Sequence, residues 1–181
     1  MEETYRRVIR TLDHLGVKWS LVGAHAINTY TRPRATEDID LIVDAKRMKQ
    51  VLAALEEEFG ELHTVDVGAA IRVTELSVDL IRSDNHPLFW EALQQGRVRQ
   101  GVRIPPAEIL IALKFLAAVS PWRRPAERKQ DAADLIGVYQ AAGSELDIDA
   151  VLGHASRIYP GAEKELAKVF ERIDRGEDVS L

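Results

Sequence analysis

The run Asp38-Ile39-Asp40-Leu41-Ile42-Val43 constrains this chain more than any other stretch. Its apolar, β-branched part reads as a buried strand. Side chains on a strand alternate between faces, so Asp38 and Asp40 project together, with Cα atoms about 6.5–7 Å apart. Two adjacent carboxylates repel. The usual resolution is one or two divalent cations, because hard ions such as Mg2+ take carboxylate oxygens and keep positions open for phosphates. The remainder of the chain is read by asking what would serve that pair.

A chain of 181 residues holds one full core, or a catalytic module with a smaller part appended. It has no cysteine, which excludes disulfides and thiolate zinc sites and fits a reducing cytoplasm. No apolar run approaches the length of a membrane span. The net charge of −5 argues against indiscriminate nucleic-acid binding. The sign is uneven, however: from Arg97 to Lys129 there are eight Lys and Arg against two Glu. That window suits an anionic partner.

Hydrophobic period and breakers predict the elements in order. A helix over 3–15 is followed by a strand, Val17–Val22, broken at Gly23. A short helix, Ala24–Tyr30, leads to the acidic strand. A second amphipathic helix covers Met48–Phe59. Leu62–Val67, Ala70–Thr74 and Leu76–Ile81 read as strands, and Pro87–Leu93 as a short helix. Val98 and Val102–Ile104 suggest a ribbon around Gly101. Pro105-Pro106 opens a helix over Ala107–Val119. A basic loop, Trp122 to Lys129, separates it from a helix over Gln130–Ala142. Two further helices cover Asp147–Tyr159 and Ala162–Ile173. Mixed α/β character before residue 104 gives way to helix after it. The expected fold is therefore α+β: a small mixed sheet flanked by helices over 1–104, then a helical C-terminal part over 105–181.

The order of strand, Gly23, short helix and a strand bearing two acids stands here as LVGAHAINTYTRPRATEDIDLIV. With Arg34 and Thr36 at their spacing, it resembles the nucleotidyltransferase superfamily of polymerase-β-like fold, and more narrowly the small bacterial AbiEii-toxin-like members. The likeness covers residues 17–81, and more loosely a second block, ILIALKF and ERKQDAADL. It implies a metal-dependent enzyme, with Mg2+ or Mn2+, that moves a nucleoside monophosphate from an NTP to an acceptor hydroxyl. The acceptor would be tRNA, a protein hydroxyl or a small molecule, and a cognate antitoxin a partner.

The resemblance also assigns residues. Asp38 and Asp40 would hold two metal ions, with Asp79 as a third acid that binds one of them and assists deprotonation of the acceptor. Asp79 is a lone acid between apolar neighbours, and such acids are rarely buried without a partner. A solvent-facing position shared with Ser77 is the alternative. Gly23 would let phosphates approach the backbone, with free N–H groups of the following helix as donors; a plain turn glycine is the other reading. Ala24 departs from the Gly or Ser of the family, so a serine hydroxyl is not available to a phosphate. Arg34 and Thr36 either position the acidic loop, touch nucleotide, or make local loop bonds. His25 fits a helix surface. Lys114, the single charge in an apolar helix, is expected in the cleft near the triphosphate. Asp131 and Asp134 share a helical face, either as part of the second block or in salt bridges with Arg128 or Lys129. Trp122, Arg123 and Arg124 form either an RNA contact or a solvated loop.

Two other classes compete. One is a non-catalytic binding module of the same fold, antitoxin-like or regulatory, motivated by Ala24. The other is a D-x-D glycosyltransferase, which needs a longer nucleotide-binding region than the 37 residues that precede Asp38. A nuclease leaves the Gly23 turn without a role.

Overall fold

In a computed structural model, the chain is described over residues 2–99, 101–179 and 181. Helix α1 (Glu2–His14) turns Val8 and Leu12 fully inward, as its period requires. Strand β1 (Trp19–Leu21) follows, buried along its length, and the Trp19 indole donates to Asp13 at 2.8 Å. Then come α2 (Gly23–Ile27) and β2 (Ile39–Val43). Asp44 ends β2 and accepts from the Lys46 amide at 3.0 Å, which caps a single 3-10 turn before α3 (Met48–Phe59). Strands β3 (Thr64–Asp66), β4 (Ala70–Val73) and β5 (Val78–Arg82) complete a mixed sheet in the order β1-β2-β5-β4-β3.

Only β2 and β5 run parallel; the other neighbours are antiparallel. Ile39, Leu41 and Val43 on β2 line up with Val78 and Leu80 on β5, and these five side chains are at most 1% exposed. That is the core face. The intervening positions, among them Asp40 and Asp79, fall on the opposite face.

The strand expected from Leu76 begins two residues later. Thr74–Leu76 forms a 3-10 turn, and Ser77 sits in the left-handed region at φ 52°. The Glu75 carboxylate holds that turn by accepting from the His63 amide at 2.9 Å. Beyond the sheet, α4 (Pro87–Gln95) is capped by His86, whose Nδ1 accepts from the Leu88 amide at 3.1 Å. Strands β6 (Arg97–Arg99) and β7 (Val102–Ile104) form the expected ribbon.

Helix α5 (Ala107–Ala118) is the apolar helix after Pro105-Pro106. Helix α6 (Pro125–Ala142) corrects the sequence reading, which left residues 122–129 as loop. Pro125 occupies the first turn, where its missing N–H costs nothing, and Glu127 accepts from the Arg124 amide at 3.1 Å. Helices α7 (Ile148–Ala155) and α8 (Ala162–Asp174) follow; Asp147 caps α7 through the Ala150 amide at 3.0 Å.

The chain divides into two compact units. The first holds residues up to Ala26 and Arg34–Pro105; the second holds Ile27–Pro33 and the chain from Pro106 onward. Within the second, Thr31 packs on α6 so closely that a Cβ at Gly137 would stand 3.1 Å from its methyl group.

Candidate active site

The polar face of the first unit's sheet carries a row of charged side chains. Asp40 and Asp79 are direct partners across the parallel β2–β5 ladder, and Arg72 on β4 is the direct partner of Asp79. Partners in register project from the same face, so the row runs Asp40, Asp79, Arg72. Asp38 lies just ahead of β2 and is exposed; Asp40 and Asp79 are half-buried.

Arg72 grips Asp79 with two parallel bonds, Nε to Oδ1 at 2.8 Å and Nη2 to Oδ2 at 2.7 Å. This fork geometry is the strong form of a charge-assisted pair. Asp79 keeps only 14% of its side-chain surface exposed, against 47% for Arg72. The hydrogen bonds and charge of Asp79, and at longer range the charges of Asp38 and Asp40, hold the Arg72 pKa above its usual value. All three acids therefore act on one guanidinium.

Gly23 closes the site from the start of α2. Its φ is +62°, and a Cβ there would lie 1.9 Å from Oδ2 of Asp40. The glycine thus makes room for the Asp40 carboxylate, a more specific demand than a turn. Ala24 is 6% exposed and belongs to the core of the unit. A small apolar residue suits that position, which gives a packing reason for the absent serine. His25 is half-buried; burial first, and the nearby Arg34 charge second, push its pKa down. Its Nε2 has no hydrogen-bond partner among the described residues. Thr36 is half-buried in the loop that leads to the acids.

Lys114 is engaged by acids of the same unit. It lies in the second unit, 9% exposed, with Nζ 2.8 Å from Asp131 Oδ1 and 2.7 Å from Asp134 Oδ2. Arg123 approaches the other Asp131 oxygen at 3.3 Å, too poorly directed for a hydrogen bond. The acids of α6 thus pair with Lys114 of α5. A buried ammonium needs such partners, and their i, i+3 spacing supplies both.

The donor chemistry of Asp38 and Asp40 fits a hard divalent cation. Asp79 is held by Arg72, and among the described residues no group of three acid or histidine side chains is already gathered as a metal cluster. Arg72 is the site residue that sequence reasoning missed. The signal was available, since it is the lone cation in Ala70-Ile71-Arg72-Val73, one residue ahead of the core-facing Val73 and so in phase with the polar face.

The mixed sheet, the glycine-headed turn and the acids on adjacent strands are the arrangement expected of a nucleotidyltransferase. A profile of the aminoglycoside-2''-adenylyltransferase family matches residues 5–100, just over half of the 181 residues. The chain belongs to that family, and is a nucleotidyltransferase by that membership.

Solved structures agree on the fold. The antibiotic-resistance factor ANT(2'')-Ia in solution is 19% identical, with 97% of each chain covered and a TM-score of 0.56. Its crystal structure with adenylyl-2''-tobramycin is 18% identical, covers 88% of this chain and 100% of that one, and has a TM-score of 0.58. JHP933 from Helicobacter pylori is 16% identical, covers 86% and 71%, and has a TM-score of 0.56. No curated protein sequence matches. The narrower likeness to AbiEii-type toxins finds no support in the family match. No described helix is long and apolar enough to cross a membrane.

Proposed function

We propose that this chain transfers AMP from ATP to a hydroxyl of a cationic amino sugar. The observation that carries the reading is the register of Asp40 with Asp79, closed by Gly23 against Asp40. The family match supplies the class of acceptor, and the chain's net charge of −5 favours a polycation over an anion.

In this reading the acceptor oxygen attacks the α-phosphorus. A new O–P bond forms, the bond to the bridging oxygen of pyrophosphate breaks, and the hydroxyl proton passes to a carboxylate. Asp79 is the residue for that proton through lone pairs that Arg72 leaves unused. Asp38 and Asp40 would hold Mg2+ or Mn2+, which neutralises phosphate charge when bound. Backbone at Gly23 and Ala24, with Arg34 and Thr36 ahead of the acids, would meet the nucleotide.

One observation favours an RNA acceptor as the second reading. Trp122 is 94% exposed beside Arg123 and Arg124, a combination that suits base stacking and phosphate contact. The two readings separate in one experiment. Purified protein with ATP, Mg2+ and either an aminoglycoside panel or total tRNA is analysed by mass spectrometry for an added adenylyl group. The amino sugar is expected to gain it. Modification of tRNA alone, weakened steeply by salt, would replace the first reading with the second. Nucleotide binding without modification of either would favour the non-catalytic module.

A further inference from the structure

One member of the acid row is already engaged. Both oxygens of Asp79 accept from Arg72, at 2.8 and 2.7 Å. The pair is built into the ladder, since Arg72 and Asp79 are direct cross-strand partners on β4 and β5. On the other side of Asp79 stands Asp40, also in register. A guanidinium is thus placed at one end of a line of carboxylates, where a divalent cation could also act as counter-charge.

We propose that Arg72 is an internal counter-cation of this site: it engages Asp79 and keeps divalent-cation affinity low until nucleotide brings its own phosphates. The proposal rests on the nucleotidyltransferase reading and adds a positioning residue to it. Two effects act together. The guanidinium repels an incoming cation through space, and its two bonds fix the Asp79 carboxylate toward β4, leaving only the remaining lone pairs of each oxygen. Nucleotide phosphates add negative charge that outweighs one guanidinium, so metal and nucleotide enter together. A simple tether, which holds Asp79 in position for the metal, would act in the opposite sense, and that difference makes the proposal testable.

The test is Mn2+ binding to the intact chain without nucleotide, read by loss of the free-ion electron paramagnetic resonance signal. Arg72→Met removes both the charge and the fork. It is expected to bind Mn2+ about tenfold more tightly than wild type, the scale of one unit charge acting on a divalent ion several ångströms away in a water-like medium. Arg72→Lys keeps the charge and loses the fork, and is expected to fall between the two. Arg72→Gln is neutral but keeps a donor for Asp79; it carries the test if circular dichroism shows Arg72→Met unfolded. With a non-hydrolysable ATP analogue present, the gap between wild type and variant should narrow. Unchanged or weaker Mn2+ binding in folded Arg72→Met or Arg72→Gln overturns the proposal and leaves Arg72 as a tether. Failure of the underlying reading looks different: wild type and Asp40→Asn would then bind Mn2+ alike even with the ATP analogue.

Discussion

A methyl group at position 23 would displace Asp40. Its clash with Oδ2 at 1.9 Å comes on top of a backbone φ of +62°, which a side chain adopts only with strain. Gly23→Ala should therefore cost about 1–3 kcal/mol of stability, measured by urea unfolding. The loss of nucleotidyl transfer should be larger than that cost implies, because what moves is a site carboxylate. A variant with wild-type kcat/KM would show that Asp40 has room to spare. The special status of Gly23 was legible in the sequence, but its cause was not, since the crowding comes from a residue on another strand. Arg72 was hidden for the same reason. Strand phase places it on the polar face, yet only the β4–β5 register sets it opposite Asp79.

Among the elements, α5 and α6 are joined by the Lys114, Asp131 and Asp134 cluster. A lone lysine in an apolar helix was plain in the sequence; its partners were not, because the start of α6 was read as loop. Lys114→Met removes the ammonium that both buried carboxylates share, leaving Arg123 near Asp131 and the Gln130 amide on Asp134, so a loss of about 3–5 kcal/mol is expected. Chemical denaturation measures it. A near-neutral effect would mean that the acids find solvent or other donors, and would revive the simpler reading in which the lysine serves only substrate.

Helix α4 offers a pH test. His86 caps it only while Nδ1 is unprotonated, and burial pushes its pKa below the usual value. Above about 6.5 both the folded and the unfolded chain hold the neutral ring. Below it the unfolded chain takes up a proton that the folded chain resists, so stability falls as pH falls toward the lower folded pKa. His25, lowered by burial and Arg34, acts in the same direction. The melting temperature should drop on acidification from pH 7 to 5.5, and less so in His86→Asn, which keeps a capping acceptor without the titration.

At the scale of the whole molecule, the break in composition near residue 104 lies close to the boundary between the compact units at Pro105 and Pro106. What the composition did not show is that Ile27–Pro33 belongs with the second unit. The breakers around it, Gly23 and Pro33, mark turns without saying which core they serve, and the contact of Thr31 with Gly137 joins residues far apart in the chain. A fragment ending at Pro105 should accordingly lack a cooperative thermal transition, because Ile27, 1% exposed in the full chain, loses its neighbours. A sharp transition in that fragment would contradict this division. The central claim, nucleotidyl transfer at the Asp38, Asp40 and Asp79 row, is tested most directly by following label from ATP. With α-32P ATP, Mg2+ and acceptor, wild type should place label in the acceptor. With γ-32P ATP the label should leave as pyrophosphate, and folded Asp40→Asn should transfer neither. Label reaching the acceptor from the γ position, or undiminished α transfer by Asp40→Asn, would contradict the account.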